Sequence, residues 1–374
     1  MKLVLEKGDY LKKFEIFFSK VLIQISYIFT YLIPIKKNRV SLISYFNNEY
    51  GLEFEMLVKL LKEDNYEIKA SLHCFNGTML GKLRYLFSFM YQTYLFNTSS
   101  VVLLDGNNFV YANIKVKAQV HTIQLWHATG AIKKFGQDTK RRYQIKGYDS
   151  IIVSSSFFKP IYAQALNTPL ENVHDLGICK TDYLFDCEYL NNCQVKFYQK
   201  YPFLKNKKII LYAPTFRGEG IDDINDTSNI NELTKLLNDD YCLLKKNHPL
   251  VKKNDNDTSI IDVSSDDLYE LLVVADYVIS DYSALIFDAM ILNKKTILYL
   301  YDYQEYKKNR DFCVNIHEID LKKGYTIHEI YDILNEYEDC EEVSANMEKY
   351  LSAIDGSSTK RIFNYIKNLE RMRR

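Results

Sequence analysis

Apolar residues in this chain arrive in short runs separated by amphipathic stretches. Residues 40–44 (VSLIS), 68–73 (IKASLH), 101–105 (VVLLD), 120–126 (VHTIQLW) and 151–154 (IIVS) have the length and apolar density of buried strands, and residues 51–62 have helical periodicity. A turn signal stands at Asn76-Gly77. The grammar then repeats, with strands over 208–213 (KIILYA), 241–245 (YCLLK), 277–280 (YVIS) and 296–299 (TILY). Helical patterns at 231–238, 267–274 and 283–292 alternate with them, and a polar, tyrosine-rich helical stretch at 183–207 separates the halves. Strands alternating with helices predict parallel sheets covered on both faces. The expectation is an α/β chain of two Rossmann-like, doubly wound domains facing a cleft, over 37–190 and 191–374, behind an N-terminal segment 1–36. Ligands in such folds bind beyond the carboxyl ends of the strands.

Segment 1–36 departs from that pattern. Residues 11–35 (LKKFEIFFSKVLIQISYIFTYLIPI) are apolar and aromatic with lysines at both ends, yet the uninterrupted part, 21–33, has 13 residues. That is too short to span a bilayer, which takes about 20. An amphipathic helix lying in the membrane interface and a helix packed on the body of the protein fit equally. No cleavable signal peptide is expected, because Glu6, Asp9 and Glu15 interrupt the start.

Composition narrows the function classes. Lys+Arg and Asp+Glu both total 48, so no whole-molecule field attracts nucleic acid. The seven cysteines form no CxxC pair and no zinc-ligand spacing, which reads as reduced thiols with no metal site. There is no GxGxxG after a strand and no GxxxxGK[ST], so neither hydride transfer nor P-loop hydrolysis is supported. Asp222-Asp223 lies in a loop (218–229) polar enough that solvated charge is the better account, and Mg2+ has no sequence support.

Candidate chemistry collects at the strand ends. The run 124–136, QLWHATGAIKKFG, holds the single tryptophan, Trp126, followed by His127 and by Ala128, Thr129, Gly130 and Ala131, small enough for close approach of a ligand. Lys133 and Lys134 follow, so a proton acceptor stands beside an anion-holding surface. YAPTFRG (212–218) offers Thr215 and Arg217 after a strand. LKKNHP (244–249) offers Lys246 and His248, whose direction Pro249 restricts. SDYSA (280–284) contributes Ser280, Asp281 and Ser283, the last a plausible N-cap for an anion-binding helix start. YDYQEYKKNRDF (301–312) brings Asp302, Tyr306 and Arg310, the latter pair on one helical face. Each segment alone is equally an ordinary turn, cap or ion pair.

Taken in order, the segments resemble the CDP-glycerol glycerophosphotransferase family of Gram-positive teichoic acid biosynthesis. WHATGAIKKFG is similar to the family's tryptophan-histidine-glycine-lysine-lysine segment, and GICKTDYLF (177–185) to its Gly-x-Pro-Arg-x-Asp segment. YAPTFR, KNHP, ISDYSALIFDAM and YLYDYQEYKKNRDF follow in the family's order, so the match runs from about residue 100 to 315. The resemblance implies a GT-B-like, monotopic enzyme on the cytoplasmic membrane face. Its donor would be CDP-glycerol or CDP-ribitol and its acceptor a polyprenyl-diphosphate-linked glycan, with no cofactor. It further implies His127 as general base, His248 as stabiliser of the donor pyrophosphate, and Ser280, Asp281, Ser283 and Arg310 as holders of CDP. Trp126, Thr129, Gly130, Lys133, Lys134, Thr215, Arg217, Lys246 and Asp302 complete the expected substrate site.

Two departures from the family pattern carry meaning. His127-Ala128-Thr129-Gly130 stands where the polymerases show His-Gly-x-Pro, and looks more like the primases, which add the first glycerol phosphate. Cys179-Lys180 stands where Pro-Arg is usual. The chain also lacks the extra N-terminal region of the large polymerases. Glycerol-phosphate priming is therefore the expected activity. The alternatives are an alditol-phosphate polymerase or capsule transferase, a nucleoside-diphosphate-sugar glycosyltransferase, and a non-catalytic membrane scaffold of a wall-polymer complex. Homo-oligomerisation stays open.

Overall fold

The computed structural model describes residues 2–74, 78–141, 143–215, 217, 228–247, 260–337 and 342–371. The loop at 76–77 and most of 218–229 lie outside them. In chain order the first lobe runs α1 (Lys2–Tyr31), β1 (Lys36–Ser44), α2 (Gly51–Glu63), β2 (Glu67–Leu72), α3 (Met79–Thr98) and β3 (Ser99–Leu104). It continues with α4 (Phe109–Asn113), β4 (His121–Gln124), β5 (Ser150–Ile152), α5 (Lys159–Ala165) and β6 (Val173–His174). The second lobe runs α6 (Cys187–Lys200), β7 (Lys208–Tyr212), α7 (Asn231–Leu236), β8 (Tyr241–Lys245), β9 (Ile261–Asp262) and α8 (Leu268–Val274). After these come β10 (Tyr277–Ser280), α9 (Leu285–Ile291), β11 (Lys295–Tyr299), α10 (Tyr303–Asn309), β12 (Lys322–Gly324), α11 (Ile327–Asn335), α12 (Glu342–Tyr350) and α13 (Ser358–Arg371).

Among the described residues two six-stranded sheets form, in the orders β2-β1-β3-β4-β5-β6 and β12-β11-β10-β7-β8-β9. Every strand pair in them is parallel. All six residues of β3 are buried, as a strand covered by helices on both faces requires. The alternation of apolar runs thus predicted the architecture. The order also locates two switch points, where successive connections leave in opposite directions. They lie between β1 and β3 in one lobe and between β7 and β10 in the other.

Four differences from the sequence expectation have physical causes. The strand expected to reach Trp126 ends at Gln124, because Trp126 turns the chain with a φ of +58°. The helix α3, which the apolar pattern did not reveal, is apolar on several sides, since it packs between α1 and the first sheet. Its start is fixed by the Thr78 hydroxyl, which accepts from the Gly81 N–H at 3.0 Å. Ser283 is not the N-cap of α9; Ala284 is, and the Ser283 hydroxyl accepts from the Leu285 N–H at 3.4 Å. Lastly, α13 returns to the first lobe, where Ile362 and Ile366 are buried with Val40, Leu42, Val101, Leu103 and Ile123.

Helix α1 packs on the body of the protein along one face and leaves another face exposed. Ile23, Ser19 and Ser26 are buried, the Ser26 hydroxyl donates to the Met90 carbonyl (3.1 Å), and Asn97 donates to the Thr30 hydroxyl (2.8 Å), so one face packs on α3. The other face exposes Phe17, Phe18, Ile25, Ile28 and Phe29, and Leu32 is exposed just beyond the helix end. Among the described residues no helix is long and apolar enough to cross a membrane.

Candidate active site

At the first switch point the segments after β1, β3 and β4 converge on His127. Its Nδ1 lies 3.0 Å from the Asp105 main-chain carbonyl, an acceptor, so Nδ1 carries the proton and the Nε2 lone pair is left for chemistry. The ring is held between Phe46, with centroids 4.5 Å apart, and Trp126, at 4.7 Å. Phe46 can lie there because residue 106 is glycine: a Cβ on Gly106 would stand 2.8 Å from its ring. The left-handed backbone at Trp126, a strain of about 1–3 kcal/mol, reverses the chain so that His127 projects from the sheet end. Two bonds of Gln124 hold that turn: its Oε1 accepts from the Trp126 N–H and its Nε2 donates to the Gly106 carbonyl, both at 3.0 Å. Burial pushes the His127 pKa down to about 4, and the nearby Lys180 and Lys133 charges push the same way. The imidazole is therefore neutral at physiological pH. Burial also raises the Asp105 carboxyl to about 7, helped by Glu53.

At the second switch point Arg217 is the hub. Its Nη1 lies 2.7 Å from Asp281 Oδ2, while Nε and Nη2 reach Asp302 at 2.6 and 3.0 Å. Asp281 also accepts from the Thr215 N–H (2.9 Å) and the Tyr282 N–H (2.6 Å), and Asp302 from the Tyr282 hydroxyl (2.9 Å). Burial alone would lower the Arg217 pKa, but Asp281 and Asp302 reverse that and raise it. Tyr282 and Tyr306 stack at 4.2 Å beneath the guanidinium, and Tyr301 lies 4.8 Å from it. The buried hydroxyls of Thr215 and Tyr306 have no hydrogen-bond partner among the described residues. Unpaired buried hydroxyls next to a cation mark a place where a polar ligand is expected.

The lobes meet through the segment after His127. Lys133 forms an antiparallel bridge with Phe312, the Cys313 N–H donates to the Ile132 carbonyl (2.8 Å), and the Lys134 N–H to the Asp311 carbonyl (3.2 Å). In this extended stretch neighbouring side chains diverge. Lys134 pairs with Asp311 at 2.6 Å near the surface. Lys133 turns inward, where burial lowers its pKa to about 8; Arg310 and Arg217 push the same way and Asp281 opposes. Neither Lys133 nor Arg310 has a hydrogen-bonded carboxylate among the described residues. Among the described residues the cleft thus holds cations in excess of its two carboxylates, beside a neutral histidine.

The remaining sequence candidates have other posts. Ser280 donates to the Ala213 carbonyl (2.7 Å), tying the ends of β10 and β7. The Lys246 ammonium donates to the Ser264 carbonyl (3.2 Å) and to that of Asp266. Thr129 and Gly130 do not leave room for a ligand: Thr129 bonds Asp288, and a Cβ on Gly130 would stand 2.6 Å from the Phe287 ring. His248 lies outside the described residues. Sequence reasoning missed Phe46, Asp105, Tyr282 and Asp288. Asp105 was findable, since it ends a strand as His127 does; the aromatic pair and Asp288 carried no local signal. Among the described residues no group of three or more His, Cys, Asp or Glu could hold a metal ion.

This geometry can be set beside known proteins. The family model for CDP-Glycerol:Poly(glycerophosphate) glycerophosphotransferase matches residues 25–368. The chain belongs to that family. The fold is similar to that of the wall teichoic acid polymerase TagF, which superposes with a TM-score of 0.70 at 20% identity, covering 91% of each chain. The teichoic acid ribitol-phosphate primase of Bacillus spizizenii is 30% identical over 359 residues, 90% of this chain and 92% of its own length. The poly(ribitol-phosphate) polymerase of the same organism is also 30% identical over 90% of this chain, which spans only 57% of that polymerase.

Proposed function

We propose that this glycerophosphotransferase-family member transfers an alditol phosphate from a CDP-alditol to a hydroxyl of a polyprenyl-diphosphate-linked glycan, with His127 as the base. The observation that carries this reading is the 3.0 Å contact of His127 Nδ1 with the Asp105 carbonyl, which leaves Nε2 unprotonated at the cleft. The acceptor hydroxyl gives its proton to Nε2 and its oxygen attacks the β-phosphorus of the donor. The bond from that phosphorus to the bridging oxygen breaks, and CMP leaves with the electron pair. Lys133, Arg310 and the Arg217 cluster face the charge that spreads over the phosphoryl oxygens, and the Thr215 and Tyr306 hydroxyls offer donors.

Priming with glycerol phosphate is the finer form of the proposal. Similarity to teichoic acid primases, together with the His127-Ala128-Thr129-Gly130 segment, supports addition of a single unit. The Bacillus spizizenii primase and polymerase are both named for ribitol phosphate, which keeps CDP-ribitol as the second donor to test. Mass spectrometry of products made from CDP-glycerol and from CDP-ribitol on a lipid-linked disaccharide names the donor and counts the units. One glycerol phosphate per acceptor is expected. A ladder of units, or product from CDP-ribitol alone, rejects the finer form.

A lipid-linked acceptor calls for a protein at the membrane surface. We infer that the exposed faces of α1 and α3, with Phe17, Phe29, Leu83 and Phe87 outward and Leu32 just beyond α1, lie in the lipid interface on the cytoplasmic side. The exposed Lys20 and Lys37 match anionic headgroups.

A further inference from the structure

Asp288 bonds Thr129 but touches neither His127 nor the Arg217 cluster. It lies on α9 of the second lobe, 3% exposed, and its carboxylate meets three groups. Oδ1 accepts from the Thr129 hydroxyl and, at 3.2 Å, from the Tyr269 hydroxyl; Oδ2 faces the Lys180 ammonium at 3.4 Å. Lys180 also lies over the Tyr269 ring, 5.4 Å from its centroid. Thr129 and Lys180 belong to the first lobe, and Thr129 is two residues beyond His127.

We infer that Asp288 is a positioning residue of the transfer reaction: it grips Thr129 and so fixes the direction of His127 relative to the donor lobe. The inference rests on His127 being the base. Three observations carry it. The loop bearing His127 is anchored at both sides, by Gln124 at the Trp126 turn and by Asp288 at Thr129. Gly130 abuts Phe287 and Phe158 with no room for a Cβ, so the loop is seated directly on α9. A buried ion pair is a weak device for stability, because desolvation offsets most of its attraction, but it is strongly directional. Packing alone would hold the lobes together; the carboxylate sets the register in which they meet.

Lys180 ties the same network to the base by its field. Among the described residues the charged and titratable groups around His127 are Lys180, Lys133 and Asp105, with Glu53 beyond Asp105. Lys180 is the cation among them that Asp288 holds in place.

The test is T129V, which keeps the side-chain shape and leaves Asp288 bonded to Tyr269 and Lys180. Turnover should fall by about 10- to 100-fold, the scale of a misplaced reacting group, with donor KM and thermal midpoint near wild type. T129S should restore it. K180M should move the acid limb of kcat/KM upward, which a merely structural lysine would not do. Wild-type turnover in T129V, a loss that T129S does not repair, or an unmoved acid limb in K180M would overturn the inference. H127A measured alongside separates the two readings. Turnover retained in H127A removes the base assignment, whereas turnover lost in H127A but intact in T129V removes only the role of Asp288.

Discussion

The imidazole of His127 and the main-chain carbonyl of Asp105 lie 3.0 Å apart, nitrogen Nδ1 to oxygen. That contact fixes the tautomer without a carboxylate, and it raises the ring's pKa against the stronger lowering by burial. Removing the ring should cost chemistry and spare binding. For H127A the expected loss in kcat is about 100- to 10,000-fold, the usual worth of a positioned base. Calorimetric affinity for CDP-glycerol should be retained, and wild-type turnover in this variant would reject the assignment.

The pH dependence follows from two opposite groups. His127 works unprotonated with its pKa lowered to about 4, and Lys133 works protonated with its pKa lowered to about 8. Activity should rise as pH climbs through the first value and fall as it passes the second. Because kcat/KM reports the free enzyme, CMP release at low donor concentration is the measurement. K133R should shift the alkaline limb upward and leave the acid limb in place. An acid limb at the ordinary histidine value of 6.5 would mean that His127 is solvated rather than enclosed.

Arg217 neutralises Asp281, 1% exposed, and the largely buried Asp302. R217A leaves both carboxylates unpaired, and loss of one partner of a buried pair costs about 3–5 kcal/mol. Denaturant unfolding should show a loss of that size. R217K should not repair it, since an ammonium cannot span two carboxylates as the guanidinium fork does.

How far the chain could be read in advance differs between fold and site. Parallel strands such as 101–105 and 277–280 are buried on both faces, so their apolar runs are unbroken and visible. The strand-end candidates around His127 and Arg217 were equally visible, because polar residues that interrupt such runs stand out. What a partner does was not. Lys133 and Lys134 look identical in sequence, yet one faces the cleft and one pairs with Asp311, a difference made by the bridge to Phe312. The small residues after His127 signalled close approach, but the approaching body is Phe287 and not a ligand. Asp288, inside an apolar helix, gave no hint that its partners would come from the other lobe.

The tight seat of Gly130 makes its own prediction. G130A places a methyl 2.6 Å from the Phe287 ring, and overpacking of this kind costs about 1–3 kcal/mol. The thermal midpoint should drop, and F287L in the same chain should recover part of it. A midpoint equal to wild type in G130A would show that α9 can yield.

Membrane contact is tested on the helix surface without disturbing its packed face. F29E combined with L32E changes two residues that are 74% and 85% exposed, so folding should be unaffected. Sedimentation with anionic vesicles should fall, while turnover on a short-chain soluble acceptor should persist. Co-sedimentation equal to wild type would remove α1 from the lipid surface.

Helix α13 closes the outer layer of the sheet that carries His127, yet it follows the entire second lobe in the chain. During synthesis the first sheet leaves the ribosome with the faces of Val40, Leu42 and Val101 short of their final cover. The lobe that begins first is finished last, after the second lobe has left the ribosome. Removal of α13 would therefore uncover the outer face of the first sheet, at Val40, Leu42 and Val101.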